Sequence, residues 1–173
     1  MPFDKSSLID FLRVLDKEVS RKITLTAAGG TAMTLLNLKP STIDVDFTIP
    51  HEDISEFEDV LKKVPHGFRI DYWPDGMVFS QTLPEDYLRK SMPIKTKLKN
   101  ITLRTLHPID IVVTKIGRLD ERDMQDIESC IKSFKLKKRQ IESRAKLVEY
   151  VGREENYKTN LRYVVKKFFR RTG

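Results

Sequence analysis

Residues 23 to 28 read as a short strand that runs directly into Gly29-Gly30, and Thr31-Ala32-Met33-Thr34-Leu35-Leu36 then favours a short helix. A glycine pair at a strand-to-helix junction is the strongest constraint in the chain, because it permits a sharp turn and a close approach of the backbone to another group. Pro40-Ser41 ends the helix. Thr42 to Ile49 then alternates Ile43, Val45 and Phe47 with Asp44, Asp46 and Thr48, which predicts a half-buried strand with two carboxylates on its open face.

The flanking segments extend this into a mixed layer of strands and helices. Leu8, Phe11, Leu12, Leu15 and Val19 mark one face of a first helix over Ser7 to Val19, with Asp4, Ser6 or Ser7 available as its N-cap. His51 to Val64 reads as a helix, with acids in its first turn and Lys62-Lys63 in its last complementing the helix dipole. Phe68 to Trp73 and Met77 to Thr82 are expected to form a hairpin about Pro74-Asp75-Gly76. Ile94 to Leu98 and Ile101 to Leu106 are further strand candidates around Lys99-Asn100. From Pro108 onward the pattern is wholly helical, with three or four helices to the end. The expected fold class is α/β (α+β): a small mixed β-sheet over residues 1–107 and a helical part over 108–173, packed on one core. A length of 173 residues suits a single domain.

No apolar run approaches the roughly 18 residues needed to span a bilayer, and Met1-Pro2-Phe3-Asp4-Lys5 lacks the apolar segment of a signal peptide. The lone Cys130 permits no internal disulfide and no cysteine-cluster zinc site, and its apolar context suits a core residue, so a reducing cytoplasm is the expected setting. The net charge of +7 is uneven. Residues 131–173 hold 14 Lys and Arg against 4 Asp and Glu. Lys135, Lys137, Lys138, Arg139, Arg144, Lys146, Lys166, Lys167, Arg170 and Arg171 are expected either to attract a polyanion such as RNA or to form a solvated helical face. Phe168-Phe169 between those cations is expected to dock the last helix on the domain.

The residue types of the central stretch suit phosphate and metal chemistry. Gly29, Gly30 and Thr31 offer backbone and a hydroxyl to a phosphate, with an N-cap role as the plainer reading of Thr31. Asp44 and Asp46, two apart on a strand, project the same way and can ligate a hard cation such as Mg²⁺. Without a cation, two such acids repel one another. Lys115, Arg118 and Arg122 at helical spacing form a cationic face beside the apolar Val112, Ile116 and Leu119. The plainer reading is that Arg118 and Arg122 pair with Asp123, Asp126 or Asp110 and pin helices together. His51, His66 and His107 stand at element ends without partners at zinc spacing.

The two blocks Ala28-Gly29-Gly30-Thr31-Ala32-Met33 with Ser41 to Phe47, and Lys115 to Leu119 with Glu121 to Ile127, resemble the nucleotidyltransferase superfamily typified by polymerase-beta-like enzymes. Within it the chain looks like the AbiEii-type and related uncharacterised branch, over roughly residues 23 to 134. Many transferases of this superfamily have Gly-Ser where this chain has Gly-Gly-Thr. The resemblance implies a minimal nucleotidyltransferase fold, one or two Mg²⁺ ions and a nucleoside triphosphate substrate. It implies metal binding by Asp44 and Asp46, and a third carboxylate on a later strand. Asp71, which alternates against Ile70 and Tyr72, is the candidate for that third acid, with Asp75 as the rival in a turn. The superfamily pattern makes Asp71 both a metal ligand and the base that takes a proton from the acceptor hydroxyl. It gives Lys115 the role of steadying the triphosphate, with Arg118 beside it. Tyr72 and Trp73 near Asp71 are candidates for stacking a base, with packing as the plainer role.

The expected activity is Mg²⁺-dependent transfer of a nucleotidyl group from a nucleoside triphosphate to an acceptor hydroxyl. The basic C-terminal quarter makes RNA, for instance a tRNA end, the expected acceptor, and the branch implies a toxin with an antitoxin partner. Two alternatives belong to other classes: a non-catalytic nucleotide- or partner-binding module on the same fold, and a nucleic-acid binder that uses only the basic tail.

Overall fold

The computed structural model describes residues 2–170. The first helix, α1 (Lys5–Glu18), is capped by Asp4, whose carboxylate accepts the Ser7 N–H at 2.8 Å, and it buries Leu8, Leu12 and Leu15. Asp16, one turn from its end, is also buried and accepts the N–H groups of Lys99, Asn100 and Ile101 at 2.8 Å each. Burial alone would raise its pKa, but the three donors outweigh that and hold the carboxyl below its ordinary value. One side chain thus fastens α1 to the start of a distant strand.

The chain continues through β1 (Ile23–Ala27), α2 (Gly29–Leu35), β2 (Val45–Ile49), α3 (His51–Lys63) and β3 (Ile70–Pro74). Then come β4 (Met77–Val78), β5 (Gln81–Thr82), α4 (Tyr87–Lys90), β6 (Met92–Pro93) and β7 (Ile101–Thr105). The last part holds α5 (Pro108–Val113), α6 (Glu121–Phe134), α7 (Lys138–Ala145), β8 (Glu149–Tyr150) and α8 (Glu154–Phe168). A five-stranded mixed sheet runs in the order β3-β2-β1-β7-β6. Its β1 is antiparallel to β2 and parallel to β7, while β2 and β3 are parallel, with Asp46 beside Asp71. All five residues of β2 are buried, as expected of a strand covered on both faces.

Several expectations change against this frame. The strand expected from Thr42 begins only at Val45: Ile43 and Asp44 are exposed and lie in a bend. Phe68–Trp73 and Met77–Thr82 do not pair as a hairpin. Instead β3 joins the main sheet alongside β2, and β4 folds back on β5 around Phe79-Ser80. The turn at Asp75-Gly76 remains, and it separates the two sheets rather than joining two strands of one. The strand expected at Ile94–Leu98 is displaced to Met92–Pro93, which pairs with β7. The C-terminal part is not wholly helical, because β8 pairs with β5 and completes a small sheet in the order β4-β5-β8. Two-residue strands are invisible to a periodicity argument, which needs several residues to show an alternation.

Both parts of the chain feed one core, from Leu8 on α1 to Val164 on α8. Cys130 is fully buried there, its sulfur 3.5 Å from that of Met33, and burial pushes its thiol pKa up to about 12. Phe168 and Phe169 pack against the same core, as expected. The segment after α5 is held from two sides. Tyr157 on α8 donates its hydroxyl proton to the Val113 carbonyl at 2.7 Å, and the Asn160 amide donates to the Ile116 carbonyl at 2.8 Å. Arg144 on α7, 5% exposed, makes a two-bond fork with Asp110 on α5 at 2.6 and 2.9 Å and reaches Asp86 at 2.8 Å. Arg144 is therefore an internal clamp and does not belong to the basic surface the sequence suggested. The other cations of that group that are described are exposed, and Arg171 lies outside the described residues. The histidines have structural places: His107 accepts the Ile109 N–H on Nδ1 at 3.0 Å, His66 packs among Phe11 and Phe68, and His51 opens α3.

Candidate active site

Gly29 stands where β1 gives way to α2, with φ +53°. That is left-handed backbone, which glycine adopts without the steric cost of a β-carbon. The conformation brings the turn against β2, so that a β-carbon on Gly29 would lie 3.1 Å from Asp46 Oδ2. One on Gly30 would lie 2.6 Å from Thr42 Oγ1. Thr31 is fully buried, and its hydroxyl donates to the Asp44 carbonyl at 2.9 Å while accepting the Asp46 N–H at 2.9 Å. Thr42 donates to the same Asp44 carbonyl at 2.9 Å. The hydroxyl expected to be open to phosphate is thus occupied in latching α2 to the entry of β2, and its effect is to hold Asp44 and Asp46 in place.

A cavity of about 320 Å³ opens between this turn and the start of α6, and Gly29, Gly30, Asp44, Asp46, Lys115 and Arg118 all line it. Asp46 is buried in its wall, 3% exposed, and its Oδ1 has no hydrogen-bond partner. Its pKa is raised to about 7, first by burial and then by the negative charges of Asp44 and Asp71, against smaller opposite effects of Lys115 and Arg118. A buried, unpaired carboxylate flanked by two others lacks positive charge. That deficit, together with an orphaned oxygen, is one that either a proton or a hard cation would relieve. Among the described residues no three acidic, histidine or cysteine side chains stand together closely enough to form a complete metal cage. Asp71 sits beside Asp46 in register but does not line the cavity, and its Oδ1 is held by the Arg69 guanidinium at 2.9 Å. The rival acid, Asp75, instead accepts the His51 N–H at 2.9 Å and helps start α3.

The cationic side differs from expectation. Lys115, Arg118 and Arg122 do not share a helix: α5 ends at Val113, a turn follows, and α6 starts at Glu121. All three nevertheless line the cavity. Lys115 is only 6% exposed and stands between Asp126 at 3.0 Å and Asp123 at 3.4 Å. Lys39 reaches Asp126 from the other side at 3.2 Å. Arg118 grips Asp123 with two bonds of 2.8 and 2.9 Å while its side chain stays 60% exposed. Burial alone would raise the Asp123 carboxyl, but the Arg118 fork, the Lys115 charge and the Asp120 N–H together hold it below its ordinary pKa. The pairing that the sequence offered as the plainer reading therefore holds for Arg118 and Asp123. For Asp126 the partners are lysines, and Asp110 belongs to Arg144.

Tyr72 turns away from the cleft, donating its hydroxyl proton to Glu58 at 2.7 Å and packing edge-on against Phe57. Trp73 packs on Phe79, with ring centroids 4.7 Å apart. Phe79 itself, 43% exposed and with φ +54°, was not singled out by sequence reasoning, although an aromatic residue in a tight turn is a signal that could have been read.

Three structures of known proteins resemble this fold. A nucleotidyltransferase-like antigenic protein from Paracoccidioides brasiliensis superposes with a TM-score of 0.57 at 18% identity, covering 96% of this chain and 91% of that one. A solution structure of the antibiotic-resistance factor ANT(2'')-Ia gives 0.55 at 14% identity, covering 83% and 91%. A crystal structure of ANT(2'')-Ia with adenylyl-2''-tobramycin gives 0.52 at 11% identity, covering 95% and 98%. At such identities the likeness is one of fold. No curated protein matches the sequence. The match that decides membership spans residues 6–171, nearly the whole chain: the protein belongs to the family of nucleotidyltransferases of unknown function designated DUF6036.

Proposed function

We propose that this protein transfers a nucleotidyl group from a nucleoside triphosphate to an acceptor hydroxyl, with Mg²⁺ held by Asp44 and Asp46. The observation that carries this reading is Asp46: buried, unpaired on one oxygen, raised in pKa, and packed against a glycine turn that lines the same cavity. When bound, Mg²⁺ would supply positive charge against the phosphate oxygens and the leaving pyrophosphate.

The chain's own residues then have distinct tasks. Gly29 and Gly30 present backbone to the phosphates without a side chain in the way. Arg118 and Arg122, on the opposite wall, meet the triphosphate's negative charge. Lys115 acts indirectly, by keeping Asp123 and Asp126 neutralised under the cleft. Asp71 leaves its exposed Arg69 partner, adds a third carboxylate beside Asp46 and takes the proton of the attacking hydroxyl. The acceptor oxygen bonds to the α-phosphorus as the bond to the β-phosphate breaks. Membership in a nucleotidyltransferase family and the adenylyl group in the ANT(2'')-Ia complex both support this class of reaction. The exposed cations of the C-terminal quarter support RNA as the acceptor, and a toxin role with an antitoxin partner remains the physiological reading proposed for it.

The test is transfer of label from each α-labelled nucleoside triphosphate, with Mg²⁺, to a pool of small RNAs and to small hydroxylated acceptors. Label retained on an acceptor by the wild type and lost in Asp46→Ala supports the proposal. Absence of transfer to any acceptor, with no Mg²⁺-dependent nucleotide binding, contradicts it.

A further inference from the structure

A second cavity of about 240 Å³ adjoins the acidic cleft and shares Gly29, Phe79, Lys115, Arg118 and Asp123 with it. Its far wall is the small sheet. Val78, Gln81 and Tyr150 face one another in register across β4, β5 and β8, and all three line the cavity. Gly117 closes the opposite side so tightly that a β-carbon there would fall 2.6 Å from Tyr150 Cε1 and 3.1 Å from Gln81 Nε2. Beyond the shared Lys115, Arg118 and Asp123, the walls are two aromatic rings, a valine, the hydroxyl residues Ser80 and Thr114 and bare backbone, with one amide among them.

That amide is the anomaly. Gln81 is 3% exposed, and its Oε1 is buried without a hydrogen-bond partner. A buried amide oxygen left unpaired is destabilising, and most such groups in folded proteins find a partner. A second unusual feature stands at the mouth. Phe79 is held at φ +54°, with its ring exposed between Trp73 at 4.7 Å and the Arg118 guanidinium at 5.5 Å. A bulky residue at positive φ is disfavoured, so the turn holds an aromatic face at the junction of the two cavities at a local cost.

We infer that this cavity receives the nucleobase of the triphosphate, with Gln81 reading the base edge and Phe79 and Tyr150 bounding its plane. The inference rests on the proposed nucleotidyl transfer and adds to it a site of base selection. An amide carries a donor and an acceptor side by side, the pattern that pairs with the edge of a base, and aromatic faces stack on any of them. A cavity smaller than the roughly 300 Å³ at which whole-ligand pockets begin suits one ring system, with the phosphates left in the adjoining cleft. Tyr72 and Trp73, the stacking candidates in the sequence, yield this role to Phe79 and Tyr150.

The experiment titrates the four nucleoside triphosphates and inorganic tripolyphosphate, each with Mg²⁺, into the wild type and Gln81→Leu. The variant removes an unpaired oxygen and keeps the volume, and thermal unfolding checks that it is at least as stable as the wild type. The expected result is that the wild type prefers one triphosphate over the others by about tenfold or more. Gln81→Leu loses that preference while tripolyphosphate binds both proteins equally. Four equal affinities in the wild type, or a preference that survives Gln81→Leu, overturn the base site and leave the phosphate cleft standing. Failure of the wild type to bind tripolyphosphate or any nucleotide overturns the underlying nucleotidyl-transfer reading, and the base site with it.

Discussion

Gly29 and Asp46 are fitted to each other: the carboxylate occupies the space a β-carbon on the glycine would need, 3.1 Å from where that carbon would sit. The positive φ at Gly29 creates the approach, and the buried carboxylate at Asp46 uses it. Gly29→Ala therefore meets both a backbone penalty and a contact with Asp46. It is expected to lower stability by about 1–2 kcal/mol in denaturant melts and to weaken Mg²⁺-triphosphate binding about tenfold or more.

Asp46 makes the fold pH-sensitive in a definite direction. Its ordinary value of 3.8 is raised to about 7 in the fold, so between those values the folded state holds a proton that the unfolded chain has released. Its contribution to stability therefore declines as pH rises from about 4 to about 7. Asp46→Asn removes the titration: it is expected to be more stable than wild type at about pH 8, with the advantage shrinking toward pH 4, in urea melts across that range without added metal. Over the same interval the proton competes with a cation, so the wild type's Mg²⁺-dependent affinity is expected to rise with pH.

Asp71 is near the site but outside the cavity, paired with an exposed arginine. Its variant should separate chemistry from binding. Asp71→Asn is expected to reduce the single-turnover rate about 10²–10⁴-fold, the usual range for a proton-transfer group. Nucleotide affinity should fall far less than in Asp46→Asn.

Arg144 ties α7 to α5 through Asp110, which is fully buried. Removing the arginine strands a buried carboxylate. Arg144→Met is expected to cost about 3–5 kcal/mol in urea unfolding, while Lys138→Met, at an exposed position on the same helix, is expected to change stability by less than about 0.5 kcal/mol.

The parts of the site that are local in sequence were legible. A strand, a glycine pair and a helix announce a turn, and the alternation at Ile70-Asp71-Tyr72 put Asp71 on the face it shares with Asp46. What depends on long-range pairing was not. Helical spacing suggested one cationic face for Lys115, Arg118 and Arg122, yet α5 ends at Val113, the turn that follows runs to Leu119 with φ +50°, and Lys115 turns inward to Asp123 and Asp126. Tyr150 meets Gln81 only because a two-residue strand from the helical part reaches back to the small sheet. Nothing in either segment alone signals that meeting. Thr31 shows the same limit on a smaller scale: its neighbours suggested phosphate, while its partner is the Asp44 carbonyl in the bend that leads into β2.

The most direct test of the account is calorimetric titration of the nucleoside triphosphates with and without Mg²⁺ into the wild type and the Asp44→Ala, Asp46→Ala double variant. The account predicts metal-dependent binding by the wild type that the folded double variant loses. Equal binding by both proteins, or wild-type binding indifferent to Mg²⁺, would contradict the placement of the site at Asp44 and Asp46.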